Sequence, residues 1–348
     1  MSTLDSIAGQ APRTDAKPRG RIPDRGEGRI AGFLKSWEAI LIVLFLAIFT
    51  ANSLASPYFL DVWNLSDATF NFTEKAIVAL ALAFVILSGE IDISVAGTIA
   101  LASTVMGATA AAGFPTPVVA LAGLGVGAAC GALNGALVTV LGLPSIVATI
   151  GTMSLFRGLA YAILGDGAYT AYPDGFAYFG QGYVWAWLSF EFVAFLAFAA
   201  VAGVVLHATT VGRAVRACGH NPLAARFSGL KVGRIKFRLF VVTGLAASLA
   251  SVMLTSRLGS TRPSIAQGWE LEIITMVVLG GVSINGGSGG IPGVVLAAFV
   301  MGLVTFGLGL LNVPGIIMSI FIGLMLIAVI ALPVLIRRAT ILLRGTGR

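Results

Sequence analysis

Few side chains in this sequence have the type and spacing that catalysis requires. The segment Gly286-Gly-Ser288-Gly-Gly290 matches the G-x-S-x-G pattern of the nucleophile turn in serine hydrolases. A glycine-rich segment matches that pattern easily, and both histidines, His207 and His220, lie far from it along the chain. We therefore interpret residues 283–290 as a tight turn between two apolar segments. An intramembrane serine hydrolase remains as an alternative.

Other catalytic and metal-binding patterns are missing from the sequence. It contains no HExxH motif, no paired-cysteine metal site and no GxxxxGK[ST] phosphate loop. Without a phosphate loop, the chain is not expected to hydrolyse ATP by itself. The two cysteines, Cys130 and Cys218, are too few for a disulfide framework. We predict no catalytic residue, no metal site and no enzymatic activity.

Two carboxylates interrupt a long apolar stretch at Gly89-Glu-Ile-Asp92. Asp92 followed by Ser94 has the pattern of a helix N-cap, which is one interpretation. The other is that Glu90 and Asp92 shape a polar route across the membrane, because irregular backbone is tolerated there only where protein or water covers it. Four polar residues are further candidates for that route, with helix packing as the alternative: Asn134, Ser145, Thr149 and Ser154.

The composition is very apolar, and it indicates that membrane-spanning helices position these residues. Of the 348 residues, 57% are hydrophobic and 11% are charged, and the mean hydropathy is +0.95. These values lie far outside the range of soluble globular proteins. Because about 20 apolar residues cross a ~30 Å hydrocarbon layer, we predict an all-α, polytopic integral membrane protein with about ten transmembrane helices.

Basic residues are concentrated in three patches. Residues 1–38 hold seven Lys or Arg, residues 212–238 hold seven with no Asp or Glu, and residues 337–348 hold four. Short cytoplasmic loops of membrane proteins collect Lys and Arg, so both termini and the central loop are predicted to be cytoplasmic. A nucleic-acid-binding face is the alternative for such patches. Because the patches flank apolar spans, we expect no nucleic acid.

The apolar runs predict six spans before the central loop and four after it. Even numbers on both sides satisfy the parity that cytoplasmic termini and a cytoplasmic loop require. The predicted organisation is a disordered basic tail at 1–38, a transmembrane domain at 39–336 with a cytoplasmic loop at 207–238, and a basic tail at 337–348. The predicted spans are 39–56, 72–88, 94–112, 117–140, 144–164, 184–206, 238–256, 270–284, 292–311 and 314–336.

The central loop contains the signals of a short helix. Asn221 is a favourable N-cap, Pro222 suits the first helical position, and Gly229 ends the helix. A helix held at the cytoplasmic surface has no evident use in a protein that works alone. It therefore suggests a partner protein on that side.

Four ordered segments form a combined pattern: Gly89-Glu-Ile-Asp-Ile-Ser94, residues 143–158, Gly219-His-Asn221 with residues 224–229, and Gly268-Trp-Glu-Leu-Glu272 with residues 278–283. Together they resemble the permease subunits of the monosaccharide ABC importers, the group that includes the ribose, arabinose, xylose, rhamnose and autoinducer-2 systems. The likeness is nearest to the rhamnose-type permeases, through residues 64–73 and 255–264, with the autoinducer-2 permeases as near neighbours. Glu90 departs from the family pattern, in which many relatives have Gly.

This resemblance implies a binding-protein-dependent importer in the bacterial inner membrane, energised by a separate subunit that binds ATP and Mg²⁺. The chain itself is expected to bind no cofactor. The implied partners are a cytoplasmic ABC ATPase, a second permease copy or a related permease, a periplasmic sugar-binding protein, a monosaccharide substrate and membrane lipid. In the family the loop helix is a coupling helix seated on the ATPase, which implies that role for Gly219, Asn221, Pro222, Ala224, Ala225, Arg226, Ser228 and Gly229.

Parity places residues 165–183 and 257–269 outside. Arg257 and Arg262, with Glu270 nearby, are candidates for docking the binding protein. Ion pairs of these arginines with Glu270 or Asp174 of the same chain are the alternative. The competing functional class is a gradient-driven secondary transporter or channel. Such a carrier would more often place carboxylates in mid-span, whereas charges here cluster at span ends.

Overall fold

The computed structural model describes residues 37–328 and residue 331, and these residues form a helical bundle. The predicted all-α class is confirmed. One small antiparallel hairpin joins β1 (Tyr183–Trp185) to β2 (Leu188–Ser189). The helices are α1 Trp37–Ala55, α2 Val62–Phe70, α3 Thr73–Leu87, α4 Val95–Ala111, α5 Thr116–Thr139, α6 Ser145–Leu164, α7 Tyr178–Gln181, α8 Phe190–Ala208, α9 Thr210–His220, α10 Pro222–Phe227, α11 Val232–Leu258, α12 Trp269–Leu279, α13 Ile291–Leu310 and α14 Gly315–Ala328.

Each predicted span coincides with one of these helices, although the helices differ in length. Within the described residues, α1, α5, α6, α8, α11 and α13 are long and apolar enough to cross a membrane, which makes six. The pair α2 and α3, bent by 47°, would make a seventh. The polytopic prediction is confirmed. The predicted tails, apart from residues 37 and 38, and the end of the last predicted span lie outside the described residues.

Helix α2 is absent from the sequence-based prediction, which placed the start of the second span at residue 72. The helix begins because Asp61 caps it: Asp61 Oδ1 accepts hydrogen bonds from the backbone N–H of Trp63 at 2.9 Å and of Asn64 at 3.1 Å. Short amphipathic segments between spans carry a weak hydropathy signal. Capping is therefore the feature that identifies this helix.

Helix α3 lies at the centre of the bundle. Every residue of α3 except Lys75 is buried, and its main neighbours are α8, α11, α12 and α13. A helix that is apolar on all faces is expected in such a position. Because α3 ends at Leu87, the Gly89–Asp92 break that follows it lies among the loops at one end of the bundle.

Small residues allow α5 and α11 to approach closely. A Cβ atom on Gly127 would overlap the carbonyl oxygen of Gly244, and one on Gly131 would overlap that of Phe240. The Gly-xxx-Gly spacing of α5 thus serves helix packing, as the sequence indicated.

The loops are gathered at two ends of the bundle, in alternating order along the chain. At the basic end, defined by residues 88–94, 209–231 and 280–290, Gly287 N donates to Leu87 O at 2.9 Å. At the distal end, defined by residues 165–189 and 259–268, Tyr169 and Thr261 form a backbone bridge. This alternation agrees with the predicted parity.

Candidate functional site

The short helix predicted in the central loop is present as α10. Asn221 Oδ1 accepts hydrogen bonds from Leu223 N at 3.1 Å and from Ala224 N at 3.0 Å, as an N-cap does. Gly229 adopts a left-handed conformation with φ of 85°, and it directly follows the C-cap Ser228. The local sequence therefore determines both ends of α10.

Helix α10 exposes apolar side chains at the basic end. Leu223 is 61% exposed and Phe227 is 84% exposed. They stand four residues apart on one face, and grouped exposed apolar residues mark contact surfaces. Sequence reasoning missed both of them, although an apolar pair at i and i+4 within a basic loop is a signal that could have identified them.

The opposite face of α10 is buried against its neighbours. Ala225 is 4% exposed and packs with Cys218 and Val232. Ala224, Arg226 and Ser228 are exposed, together with the cap residues Asn221 and Pro222. A glutamate at Ala225 would therefore perturb packing, whereas one at Leu223 or Phe227 would alter only the exposed face.

Three chain segments meet backbone to backbone beneath α10. A Cβ atom on Gly219 would overlap the carbonyl oxygen of Leu87 and stand against the backbone N of Gly287. A Cβ on Gly286 would lie 2.9 Å from Cα of Gly89 and 3.2 Å from Cα of Gly219. We call Gly89, Gly219, Gly286 and Gly287 the glycine junction. Only residues without a side chain allow this contact between α9, the α3–α4 break and the 283–290 turn.

The 283–290 segment is the tight turn that the sequence predicted. Ser283 N donates to Ser288 O at 2.9 Å, and Gly286 N donates to Ser283 O at 2.9 Å. The fold brings His220 next to Gly287, which the separation along the chain did not indicate. Within the described residues, Ser288 makes no side-chain hydrogen bond to a histidine, so a serine-hydrolase arrangement is not formed.

The α3–α4 break is lined by a connected series of polar side chains. Asp92 Oδ1 accepts hydrogen bonds from Ser94 N at 2.9 Å and Ser94 Oγ at 2.6 Å. Asn134 Nδ2 donates to Ser94 Oγ, and Thr152 Oγ1 donates to Asn134 Oδ1, both at 2.6 Å. All four residues are buried. We call Asp92, Ser94, Asn134 and Thr152 the buried polar chain.

Helix α6 satisfies the backbone of the same break. Ser145 Oγ accepts from Ile91 N at 3.1 Å, and Thr149 Oγ1 donates to Ile91 O at 3.4 Å. Five of the six residues named for the polar route are therefore near the break; Ser154 is exposed elsewhere on α6. The N-cap interpretation of Asp92 is wrong, because Ser94 is the N-cap residue of α4 and no side chain caps this helix. Asp92 instead accepts hydrogen bonds from Ser94 just before the helix begins, within a network that joins α4, α5 and α6.

Glu90 is paired across the basic end. Lys236 Nζ donates to Glu90 Oε1 at 2.5 Å, and the two side chains are 14% and 16% exposed, respectively. Lys236 lies on the first turns of α11, shortly after the loop helix. The charge that departs from the family pattern is therefore compensated within the chain.

The three docking candidates near the distal end have different surroundings. Arg257 Nε donates to Glu74 Oε1 at 2.8 Å, so its partner is Glu74 and not the expected Glu270 or Asp174. Arg262 is exposed, and Glu270 is half-buried. Of the three, Arg262 is the residue whose charge is fully available to a partner.

The comparisons with known proteins define the class. Residues 64–330 match the family described as branched-chain amino acid transport system, permease component. Because this match covers most of the chain, the protein belongs to that family of transport permeases. It is a multi-pass protein of the bacterial inner membrane, as predicted.

Several relatives with a more particular name align with most of the chain. The autoinducer 2 import system permease protein LsrD of Salmonella paratyphi B is 36% identical over 273 residues, which are 77% of this chain and 82% of the relative. The LsrD protein of Yersinia enterocolitica is 37% identical over 272 residues, 76% of this chain and 82% of the relative. No solved structure shows a significant match. The predicted importer-permease family is confirmed, and the nearer likeness to rhamnose permeases is not.

Proposed function

We propose that this chain is the permease subunit of a binding-protein-dependent ABC importer that carries a monosaccharide or a related small polar solute into the cytoplasm. Rhamnose is the substrate suggested by the sequence likeness, and autoinducer 2 is suggested by the names of the relatives. The observation that carries the proposal is α10, a capped helix that exposes Leu223 and Phe227 in a basic cytoplasmic loop.

Two backbone hydrogen bonds connect α10 to its flanking helices, so that a force from a separate ATPase would reach them. Asn221 N donates to Ala217 O at 3.1 Å, which continues the backbone of α9 into α10. Leu230 N donates to Ala225 O at 3.1 Å, which ties the end of α10 to the start of α11. A helix with internal hydrogen bonds moves as a unit, so a push on α10 reaches both flanking helices. Rigid-body movement of this kind is a common form of switching between two states.

The exposed face of α10 gives a direct test. The chain is co-expressed with an ABC ATPase and a sugar-binding protein of the same organism, and the ATPase that co-purifies is quantified. Leu223→Glu and Phe227→Glu should each lower the retained ATPase by about 10-fold or more, as loss of an apolar anchor does. Val211→Glu is the matched control, because Val211 on α9 is 51% exposed at the same end but lies outside α10.

Uptake in proteoliposomes identifies the substrate. Labelled rhamnose and labelled autoinducer 2 are offered separately, with the binding protein outside and ATP inside. ATP-dependent uptake of either one supports the importer function and chooses between the two substrates. A chain that never retains an ATPase and transports alone would instead be a gradient-driven carrier.

One observation favours that second candidate. Glu191 is fully buried in α8, and neither of its carboxyl oxygens has a hydrogen-bond partner among the described residues. Ionisable residues buried in membrane-spanning helices mark proton relays in pumps and transporters. Uptake by a proton-driven carrier would be abolished by a protonophore and would need no ATP, whereas uptake by an ABC importer would show the reverse.

Arg262 supports a docking role for the distal end. It is exposed on the 259–268 loop, which pairs with the 165–189 segment through Thr261 and Tyr169. Exposed charges at an interface raise association rates, and salt screens this effect. Arg262→Glu should therefore slow association of the binding protein at low salt more than at high salt, as measured by surface plasmon resonance.

A further inference from the structure

A cavity separates α10 from the end of α5. Its volume is about 410 Å³, and its lining includes Val138 and Thr139 on one side and Pro222, Leu223 and Arg226 on the other. Because empty space does not transmit displacement, this gap weakens direct side-chain packing between α10 and α5. Contacts at the edges of the cavity provide another connection from α10 to the bundle.

Two such contacts link the loop region to the α3–α4 break. The first is the Lys236–Glu90 ion pair, whose two members also line the cavity. The second is the glycine junction, where Gly219, two residues before the N-cap of α10, touches Leu87 and Gly287. One contact precedes α10 along the chain and the other follows it, so the helix is held from both sides.

We propose that Glu90 and Lys236 are positioning residues that, together with the glycine junction, tie α10 to the α3–α4 break and carry displacement of α10 to the buried polar chain. Glu90 is two residues from Asp92, whose carboxylate is the first member of that chain. Movement of Glu90 therefore alters the position of Asp92, and through it the contacts among α4, α5 and α6. The proposal rests on the proposed function for the origin of the force on α10.

Charge reversal tests the pairing. Glu90→Lys and Lys236→Glu each place like charges together, and the double variant restores opposite charges in exchanged positions. In the full chain in nanodiscs, each single variant should raise amide hydrogen exchange of residues 223–227 by about 10-fold, and the double variant should return it to within about threefold of the starting protein. In the complete transporter, the solute carried per ATP hydrolysed should fall and recover in parallel.

A second ion pair of the same kind provides the control. Lys75 and Glu272 are also joined at 2.5 Å, with side chains 13% and 19% exposed, respectively. Lys75 is fifteen residues from Glu90 along α3 and its end, roughly 22 Å at the helical rise. Glu272→Gln removes that pair and should leave amide hydrogen exchange of residues 223–227 unchanged, whereas Glu90→Gln should raise it.

The outcomes are distinct. Unchanged exchange in both charge-reversal variants overturns the proposal, and so does a double variant that fails to recover. If a reversal prevents folding, the comparison of Glu90→Gln with Glu272→Gln decides on the same criterion. A chain whose exchange behaves as expected but never retains an ATPase would overturn the proposed function and leave this mechanical link intact.

Discussion

Replacement of Gly131 by Ala should weaken the contact between α5 and α11. A Cβ atom at residue 131 would lie 2.8 Å from Cα of Val241 and 3.0 Å from the carbonyl carbon of Phe240. These are backbone atoms, so no rotation of a side chain relieves the overlap. The two helices must separate if the larger residue is to fit.

The size of the effect follows from these distances and from a matched control. Carbon atoms in contact prefer about 3.5–4.0 Å, so α11 must shift by roughly 0.7 Å or more. Forcing an extra methyl group into a close-packed contact costs about 1–3 kcal/mol. Ala also favours the helix over Gly by about 1 kcal/mol, and this gain is the same for Gly125→Ala. Gly125 lies on the same helix with open space around its Cβ position, so the difference between the two variants isolates the packing cost.

Thermal unfolding of the two purified variants in one detergent measures that difference. A packing cost of about 2 kcal/mol corresponds to a midpoint about 3 °C lower for Gly131→Ala than for Gly125→Ala in a chain of this length. Gly125→Ala should match or exceed the unaltered protein. Equal midpoints for the two variants would refute the backbone contact between α5 and α11.

The same reasoning applies at the basic end. Gly219→Ala should destabilise the protein by about 2 kcal/mol or more, because the added Cβ would overlap the backbone of Leu87. Gly233→Ala is the control, because its Cβ would make only an ordinary contact at 4.0 Å and should not destabilise the protein. Thermal unfolding of the two variants measures the difference. Burial raises the pKa of the Cys218 thiol, with Lys236 as a weaker opposing influence. Less thiolate is then present at neutral pH, so Cys218 should resist maleimide at pH 7 under conditions that label an exposed Ser228→Cys variant. Equal labelling rates would contradict this.

Features encoded by neighbouring residues could be predicted from the sequence. The cap at Asn221 involves groups two and three residues apart. Hydrogen bonds of that range depend on local conformation and hardly on the rest of the fold. Membrane insertion also follows from composition, because each apolar run must cross the hydrocarbon layer by itself.

The partners of the charged and polar side chains could not be predicted in this way. Glu90 and Lys236 are separated by 146 residues, and Arg257 and Glu74 by 183. Composition places such residues near span ends but does not specify which helices are neighbours. The expected partners of Arg257 were wrong for that reason.

The sequence by itself determined that this chain is a helical membrane protein with a capped helix in a basic loop, since those properties depend on apolar runs and on local hydrogen bonds. Only the tertiary structure decided which face of that helix is free. It buried Ala225, exposed Phe227, and placed Gly219 against Leu87. The physical reason is that exposure and close backbone contact depend on how helices distant in sequence pack together, and no local pattern records that packing.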